Sequence, residues 1–347
     1  MNSLSLADGA FAEEFFPFTQ TRPVADLRCG ILTIREKWEL LLKDRKDFSD
    51  SLTEKSISVP GHILPDSSLA KSISNGINDT LLNAARRLEN LPDLLRWNAV
   101  EMISDFQLLT KGRQSQPVSS TNRVTGADIF LEEGAIMEHC IVNCAEGPVY
   151  IGKEALVMEG SMIRGPFALG ARGVVKMGTR IYGATSVGPH CVIGGEIKNS
   201  IFFESSNKAH DGYLGDSVIG AWCNLGAGTS NSNMKNSGGE VRLWNPLKRK
   251  FTDAGIKCGL MMGDFSRSAI HTAFNTGSVV GVCCHVFGEG RAPVYLPSFS
   301  WGIHGETYAF EKAMQHISRW KKFKGEILRP EEMNQLKTIF DQIKTPS

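Results

Sequence analysis

Aliphatic residues recur every six positions from Ile151: Ile151, Val157, Ile163, Leu169, Val175, Ile181, Val187 and Ile193. No position in the series is polar. Four residues after each stand Ala155, Ser161, Phe167, Gly173, Thr179, Thr185, Cys191 and Ile197, mostly small. A period of six matches neither the period of two of an alternating strand nor the 3.6 of a helix. It is the pattern of a parallel β-helix, in which each six-residue unit supplies one short strand and one corner. The aliphatic points inward, and three units close a triangular coil of about eighteen residues. Hexad coils wind left-handed, an exception to the right-handed crossover rule. The pattern predicts a left-handed β-helix from about residue 125 to 300. It also predicts that Asn199–Gly212 protrudes, with the coil resuming at Leu214.

The flanks read differently. Residues 1–112 form a mixed α/β domain, with a helical run over Ile34–Leu42 and a strand-like piece at His62-Ile63-Leu64. Residues 50–78 are Ser-rich and irregular. Helices are predicted over Asp79–Leu95 and Asn98–Leu109, the first with Leu81, Leu82, Ala85 and Leu88 on one face. KGRQSQPVSSTNRV links to the coil domain, residues 113–304. Residues 305–347 form a helical cap: FEKAMQHISRWKKF is one helix, and Pro330 followed by Glu331 and Glu332 starts another.

Composition removes several classes of partner. A net charge of +1 over 347 residues gives no reason to expect nucleic acid or a charged membrane surface. No apolar run reaches membrane-spanning length, and the N-terminus carries no signal-peptide pattern. The eight cysteines show no paired metal-ligand spacing and read as reduced thiols of a cytoplasmic protein.

Candidate chemistry gathers between Arg180 and Asn233. Arg180 and Lys198, eighteen residues apart, are expected at equivalent places on successive coils about 4.8 Å apart, where an anion would relieve their repulsion. His210 has Asp211 and Tyr213 beside it and suits proton transfer near neutrality. Asn224 and Asn233 follow among glycines. His139, His190, His271 and His304 read as surface or packing residues, and Lys321, Lys322 and Lys324 as a solvated basic face.

From Arg180 through Asn233 the chain resembles, without a gap, the acetyltransferase domain of the bifunctional N-acetylglucosamine-1-phosphate uridyltransferase/glucosamine-1-phosphate N-acetyltransferase family. The resemblance implies that His210 is the general base deprotonating the sugar amine. It implies that Arg180, Lys198 and Tyr213 hold the sugar phosphate and that Asn224 and Asn233 bind substrate. Ile270 and Gly288 lie where the family contacts acetyl-CoA. Met234 stands where the family has Tyr. The family usually completes its sites between neighbouring coils, so a homotrimer is expected. A second stretch, FFPFTQTRPVADLR, resembles the opening loop of sugar-phosphate nucleotidyltransferases at Pro17, Thr19, Arg22 and Pro23. Val24 replaces the family's Lys, and Glu13 or Glu14 its loop Arg, so residues 1–112 read as a reduced relative. Mg²⁺ would be needed only if that domain transfers nucleotides. The expected activity is acetyl transfer from acetyl-CoA to glucosamine 1-phosphate. Nucleotidyl transfer with the coil serving assembly, or a non-catalytic scaffold, are the other readings.

Overall fold

The computed structural model describes residues 2–43, 55–73 and 79–344. Its axis is a left-handed parallel β-helix with three faces. The first face stacks nine strands from Ile129–Leu131 to Tyr295–Leu296; the second stacks ten, from Ile136–Met137 to Glu306–Thr307. The third stacks six, from Arg123–Thr125 to Tyr213–Gly215. All eight residues of the period-six series are buried. In the first face they belong to one inward column, Leu131, Ile151, Leu169, Val187, Phe202, Ile219, Met262, Val280 and Leu296. A column of this kind buries aliphatic area continuously, at about 25 cal/mol per Å².

Successive coils are not equal in length. Leu169 lies level with Val187, eighteen residues on, but Val187 with Phe202, only fifteen on. This corrects the expectation of a protruding Asn199–Gly212. That stretch carries the strands Ile201–Phe202 and Asn207–Lys208 and is part of the coil, wound tighter. The real excursion comes later, where Val218 stacks under Met261. The additional residues form an antiparallel hairpin, Arg242–Asn245 with Lys250–Asp253, closed at its base by Cys258 N–H to Asn233 carbonyl at 2.9 Å.

The N-terminal part builds from a parallel pair, Asn2–Ala7 with Lys55–Pro60. Its helices are α1 (Ile34–Leu42), α2 (Ser67–Ser72), α3 (Asp79–Ala84) and α4 (Asp93–Thr110). Helix α1 begins at a capping box: the Thr33 hydroxyl accepts from Glu36 N–H, and the Glu36 carboxylate accepts from Thr33 N–H. A strand and α2 therefore occupy described parts of the stretch expected to be irregular; its residues 50–54 and 74–78 lie outside the described residues. The helix expected over Asp79–Leu95 ends early. Leu64 and Leu88 N–H bond across to Arg86 and His62 carbonyls, so the chain crosses itself there, and α4 starts at Asp93. His62–Leu64 makes a single bridge, Ile63 to Arg87, and no strand.

Two further helices follow the coil, α5 (Phe310–Phe323) and α6 (Pro330–Lys344), as the sequence indicates. They do not merely cap its end. One buried core joins Phe15, Phe18 and Trp38 of the N-terminal part, Ile201, Phe203 and Phe265 of the coil, and Ile317, Leu336 and Phe340 of α5 and α6. Lys37, buried in α1, pairs with Glu101 and Asp105 of α4 at 2.8 and 2.6 Å. Helix α4 in turn packs on the first face through Met102 against Tyr150 and Ala168.

Candidate active site

His210 stands on the corner between the strands Asn207–Lys208 and Tyr213–Gly215, its side chain exposed. Its backbone is fixed from three sides. A Cβ added at Gly195 of the coil below would lie 2.8 Å from the His210 carbonyl oxygen, and one at Gly212 would lie 2.2 Å from that of Thr229 above. Both glycines have positive φ, +79° and +123°, which other residues adopt at a cost. From within, the buried Lys208 amine donates to the carbonyls of Gly194 at 3.1 Å and His210 at 2.6 Å. Lys208 lies level with Ile193, in a column that elsewhere holds Val157, Val175, Ser268 and Val286. Burial lowers its pKa to about 8, against a weaker pull upward from Asp211. An exposed imidazole thus sits on an immobilised backbone. Sequence reading missed Lys208; the signal was a lysine in a mainly aliphatic column.

The register runs Asn207, Asn224, Arg267, His285 on four successive coils. Carried three residues further, it places His210, Ile270 and Gly288 in one corner column. His210 and Ile270 are two coils apart, about 10 Å at the usual strand spacing. Three of the expected site residues are thereby aligned along one edge. Ile270 is 67% exposed, unusual for isoleucine, which leaves an apolar side chain on that edge.

The third face runs on from this corner and carries a polar outer surface. Arg180 lies level with Glu196, and Tyr182 with Lys198, because the coil here is sixteen residues long. This corrects the expectation that Arg180 and Lys198 stack directly. Arg180 approaches Glu196 at 3.8 Å, and Glu196 accepts a 2.7 Å hydrogen bond from Tyr182. Among the described residues no carboxylate pairs with Lys198. Tyr213 accepts from Asn233 Nδ2 at 3.0 Å. Burial, with Asp216 nearby, raises the Tyr213 pKa well above the ordinary phenol range, so its hydroxyl keeps a proton to donate. Asp216 holds Asn199 at 2.7 Å and Asn233 at 2.5 Å through its two oxygens. Asn231, in the strand Ser230–Asn231 of the next coil, bonds both the N–H and the carbonyl of Gly215 through its side chain, at 2.9 and 3.1 Å. Neither Asp216 nor Asn231 was singled out from sequence.

Asn224 lies apart, on the second face. It accepts from Asn207 at 3.4 Å, and Asn207 accepts from Lys324 at 3.0 Å. Lys324 also donates to the Ser205 and His190 carbonyls, and Lys321 is buried against Glu332 at 2.7 Å. Two of the three lysines expected to form a solvated face instead attach the helices.

A cavity of about 540 Å³ opens elsewhere, where the N-terminal part, the coil and α6 meet. Arg22, Glu204, Trp222, Asp264 and Glu332 line it; His210, Lys198 and Tyr213 do not. Arg22, of the stretch resembling a nucleotidyltransferase loop, pairs with Asp264 and Glu204 of the coil. Those carboxylates raise its pKa against burial, so it remains charged and engaged. Among the described residues no group of three or more His, Cys, Asp or Glu is placed to hold a metal ion. The eight cysteines are free and buried, and no described helix is long and apolar enough to cross a membrane.

Comparison with known proteins fits this division. Residues 4–84 match the family described as sugar nucleotidyl transferase. The "Bifunctional protein GlmU" of Methanocaldococcus jannaschii is 33% identical over 91 residues, 26% of this chain and 22% of that one. Its namesake in Methanococcus maripaludis strain C5 is 37% identical over 86 residues, 25% of this chain and 20% of that one. The "Bifunctional sugar-1-phosphate nucleotidylyltransferase/acetyltransferase" of Sulfurisphaera tokodaii is 30% identical over 92 residues, 26% and 23% of the two chains. The matched segments therefore span about a fifth of these relatives' length. A solved Arabidopsis UDP-N-acetylglucosamine acyltransferase aligns with 65% of this chain and 90% of its own, at 14% identity and a TM-score of 0.25, too low to bear on the argument. Over residues 4–84 the chain resembles the sugar nucleotidyl transferase family, and over about a quarter of its length it is similar to bifunctional proteins of the sugar-1-phosphate nucleotidylyltransferase/acetyltransferase kind.

Proposed function

We propose that the chain transfers an acetyl group from acetyl-CoA to the amine of glucosamine 1-phosphate, with His210 as general base. The observation that carries this reading is the exposed His210 imidazole on a backbone fixed by Lys208, at the corner from which the strand Tyr213–Gly215 runs out to the level of Lys198, with Asn233 bonded to Tyr213 and Asp216. The amine attacks the thioester carbonyl directly. A carbon–nitrogen bond forms, the carbon–sulfur bond breaks, and the amine proton passes to His210 while the CoA thiolate leaves. General-base help of this kind contributes about 10²–10⁴-fold. Lys198 is the cation left for the sugar phosphate, and Arg180 joins it only by loosening its 3.8 Å contact with Glu196. Tyr213, protonated, donates to a phosphate or hydroxyl oxygen. Asn233 is held in place by Asp216. Backbone amides at Ile270 and Gly288 are the proposed contacts for acetyl-CoA.

The proposed assembly is a homotrimer. Ile136, Leu156, Val174 and Val192 stack on the outer side of the second face, and Ile136 is 55% exposed. A neighbouring coil would cover this aliphatic ladder, and cyclic symmetry would repeat each site three times. The relatives' names make uridylyl transfer the second reading. Against it, Arg22 is committed to carboxylates and Val24 is buried and apolar. Incubation with acetyl-CoA and glucosamine 1-phosphate, and separately with UTP, Mg²⁺ and N-acetylglucosamine 1-phosphate, tests both. Acetyl transfer with little or no pyrophosphate release is expected; the reverse pattern would replace the first reading by the second.

A further inference from the structure

Among the described residues, the buried lysines and arginines are paired with carboxylates, Arg28 with Glu36 at 4.0 Å included, with two exceptions. Arg22 meets Asp264 and Glu204, Lys37 meets Glu101 and Asp105, and Lys321 meets Glu332. Lys208 is satisfied by carbonyls. Arg267 is neither. It lies on the outer side of the second face, level with Asn224 and His285, and is 8% exposed. Among the described residues it has no ion pair and no side-chain hydrogen-bond acceptor, and its Nε is sealed from solvent without a partner.

Trp320 of α5 stacks over the Arg267 guanidinium, 5.1 Å from its carbon to the ring centroid. Such stacking uses the flat side of the guanidinium and leaves its in-plane N–H donors available. The ionisable groups facing Arg267 are Tyr308, Cys223 and Cys283, which are neutral at neutral pH, and beyond them the basic His285, His316, Lys312 and Arg319; burial lowers its pKa against the first three. His285 is held below its ordinary pKa by burial and then by Arg267, His316 and Lys312. His316 is held down by burial and then by Arg319, Arg267 and Lys312. Lys312 and Arg319 are exposed on α5, at the rim of the seam. An arginine stays protonated throughout the range in which proteins fold. A buried, uncompensated charge among other cations is unfavourable unless an anion shares the site.

We propose that the seam between α5 and the second face is an oxyanion site, with Arg267 as its anchor and Lys312 and Arg319 at its rim, taking a phosphate group. The fork of a guanidinium matches two phosphate oxygens at once, which a lysine cannot do. The phosphate can arrive free or as the end group of a phosphate ester. The site uses neither His210 nor Lys198 and stands independently of the acetyl-transfer reading.

The test is calorimetry and thermal unfolding of the full chain in phosphate-free buffer at fixed ionic strength. Inorganic phosphate is titrated in one arm and glycerol 3-phosphate in the other. Saturable binding and a raised unfolding midpoint are expected, with the tighter of the two ligands indicating the source. Arg267→Met should weaken binding by at least about ten-fold, while its unliganded midpoint stays at or above that of the wild type. Absence of saturable binding in both arms overturns the proposal, as does equal binding by Arg267→Met. Should that variant fail to fold, Lys312→Gln with Arg319→Gln, on the exposed side of α5, must weaken phosphate binding; unchanged affinity there also overturns it.

Discussion

Replacing Lys208 by methionine should make stability depend on pH in a direction the structure fixes. The lysine is 2% exposed and its pKa falls from 10.5 to about 8 on folding, chiefly through burial. A fall of that size corresponds to about 3 kcal/mol of disfavoured charge. Between pH 8 and 10.5 the unfolded chain binds more protons at this residue than the folded one, so the lysine's contribution becomes more favourable as pH rises. Below pH 8 the whole penalty is present. Methionine fits the column beside Ile193 and removes the penalty, but it leaves the Gly194 and His210 carbonyls without the amine. That loss costs about 1–3 kcal/mol. Near pH 7 the two effects offset, and Lys208→Met should be close to wild type in stability. Near pH 10.5 only the loss remains, and the variant should be clearly weaker. Urea unfolding of both proteins across this range measures the difference, in which other titrating groups cancel. The variant should lose about 3 kcal/mol relative to wild type from low to high pH. A difference that stays flat across the range would refute the assignment of a penalised charge to Lys208.

His210→Ala should lower the acetyl-transfer rate by about 10²-fold at neutral pH with little change in KM, and recover partly at higher pH as more amine is neutral; steady-state kinetics on glucosamine 1-phosphate check this. Lys198→Ala should instead raise the Michaelis constant for the sugar phosphate, by about ten-fold, because the anion is bound before and during reaction; an unchanged KM would remove Lys198 from the site. Asp216→Ala should free both Asn199 and Asn233 and raise the same KM without altering the acetyl-CoA dependence. Sedimentation at working concentration should give a trimer, and a stable monomer would leave the Ile136 ladder uncovered.

The coil was legible because each inward place from Ile151 to Ile193 admits only an aliphatic, and six-residue spacing has no other cause. Helix α1 was legible through Thr33 and Glu36, and α6 through Pro330. Register was not legible. Nothing in Arg180 or Lys198 says that the coil between them closes in sixteen residues, because corner length is set by how Gly194 and Gly195 pack against the next corner. The same shortening drew Asn199–Gly212 into the coil. Asn231 and Asp216 escaped notice because their partners, Gly215 and Asn233, are met only after folding. Arg267 looked like one basic residue among many until its surroundings could be counted.

The core shared by both flanks and the coil bears on how the chain is made. Phe18 rests against Phe203, ring centroids 5.2 Å apart, and Phe299 against Phe340 at 5.0 Å. Gln20 receives bonds from Ser298 at 2.8 Å and from Gln335 at 3.1 Å. During synthesis the early phenylalanines emerge long before these partners, by about 15–60 s at ~5–20 residues per second. Throughout that interval the N-terminal part has an apolar side with nothing to cover it, while the coil can add one turn upon another as each appears. The nascent chain therefore needs shielding at its front and not along its middle. A nonsense change between the end of the coil and α6 would leave part of that front permanently open, and the product should be removed as an aggregate or by proteolysis even though its coil is complete.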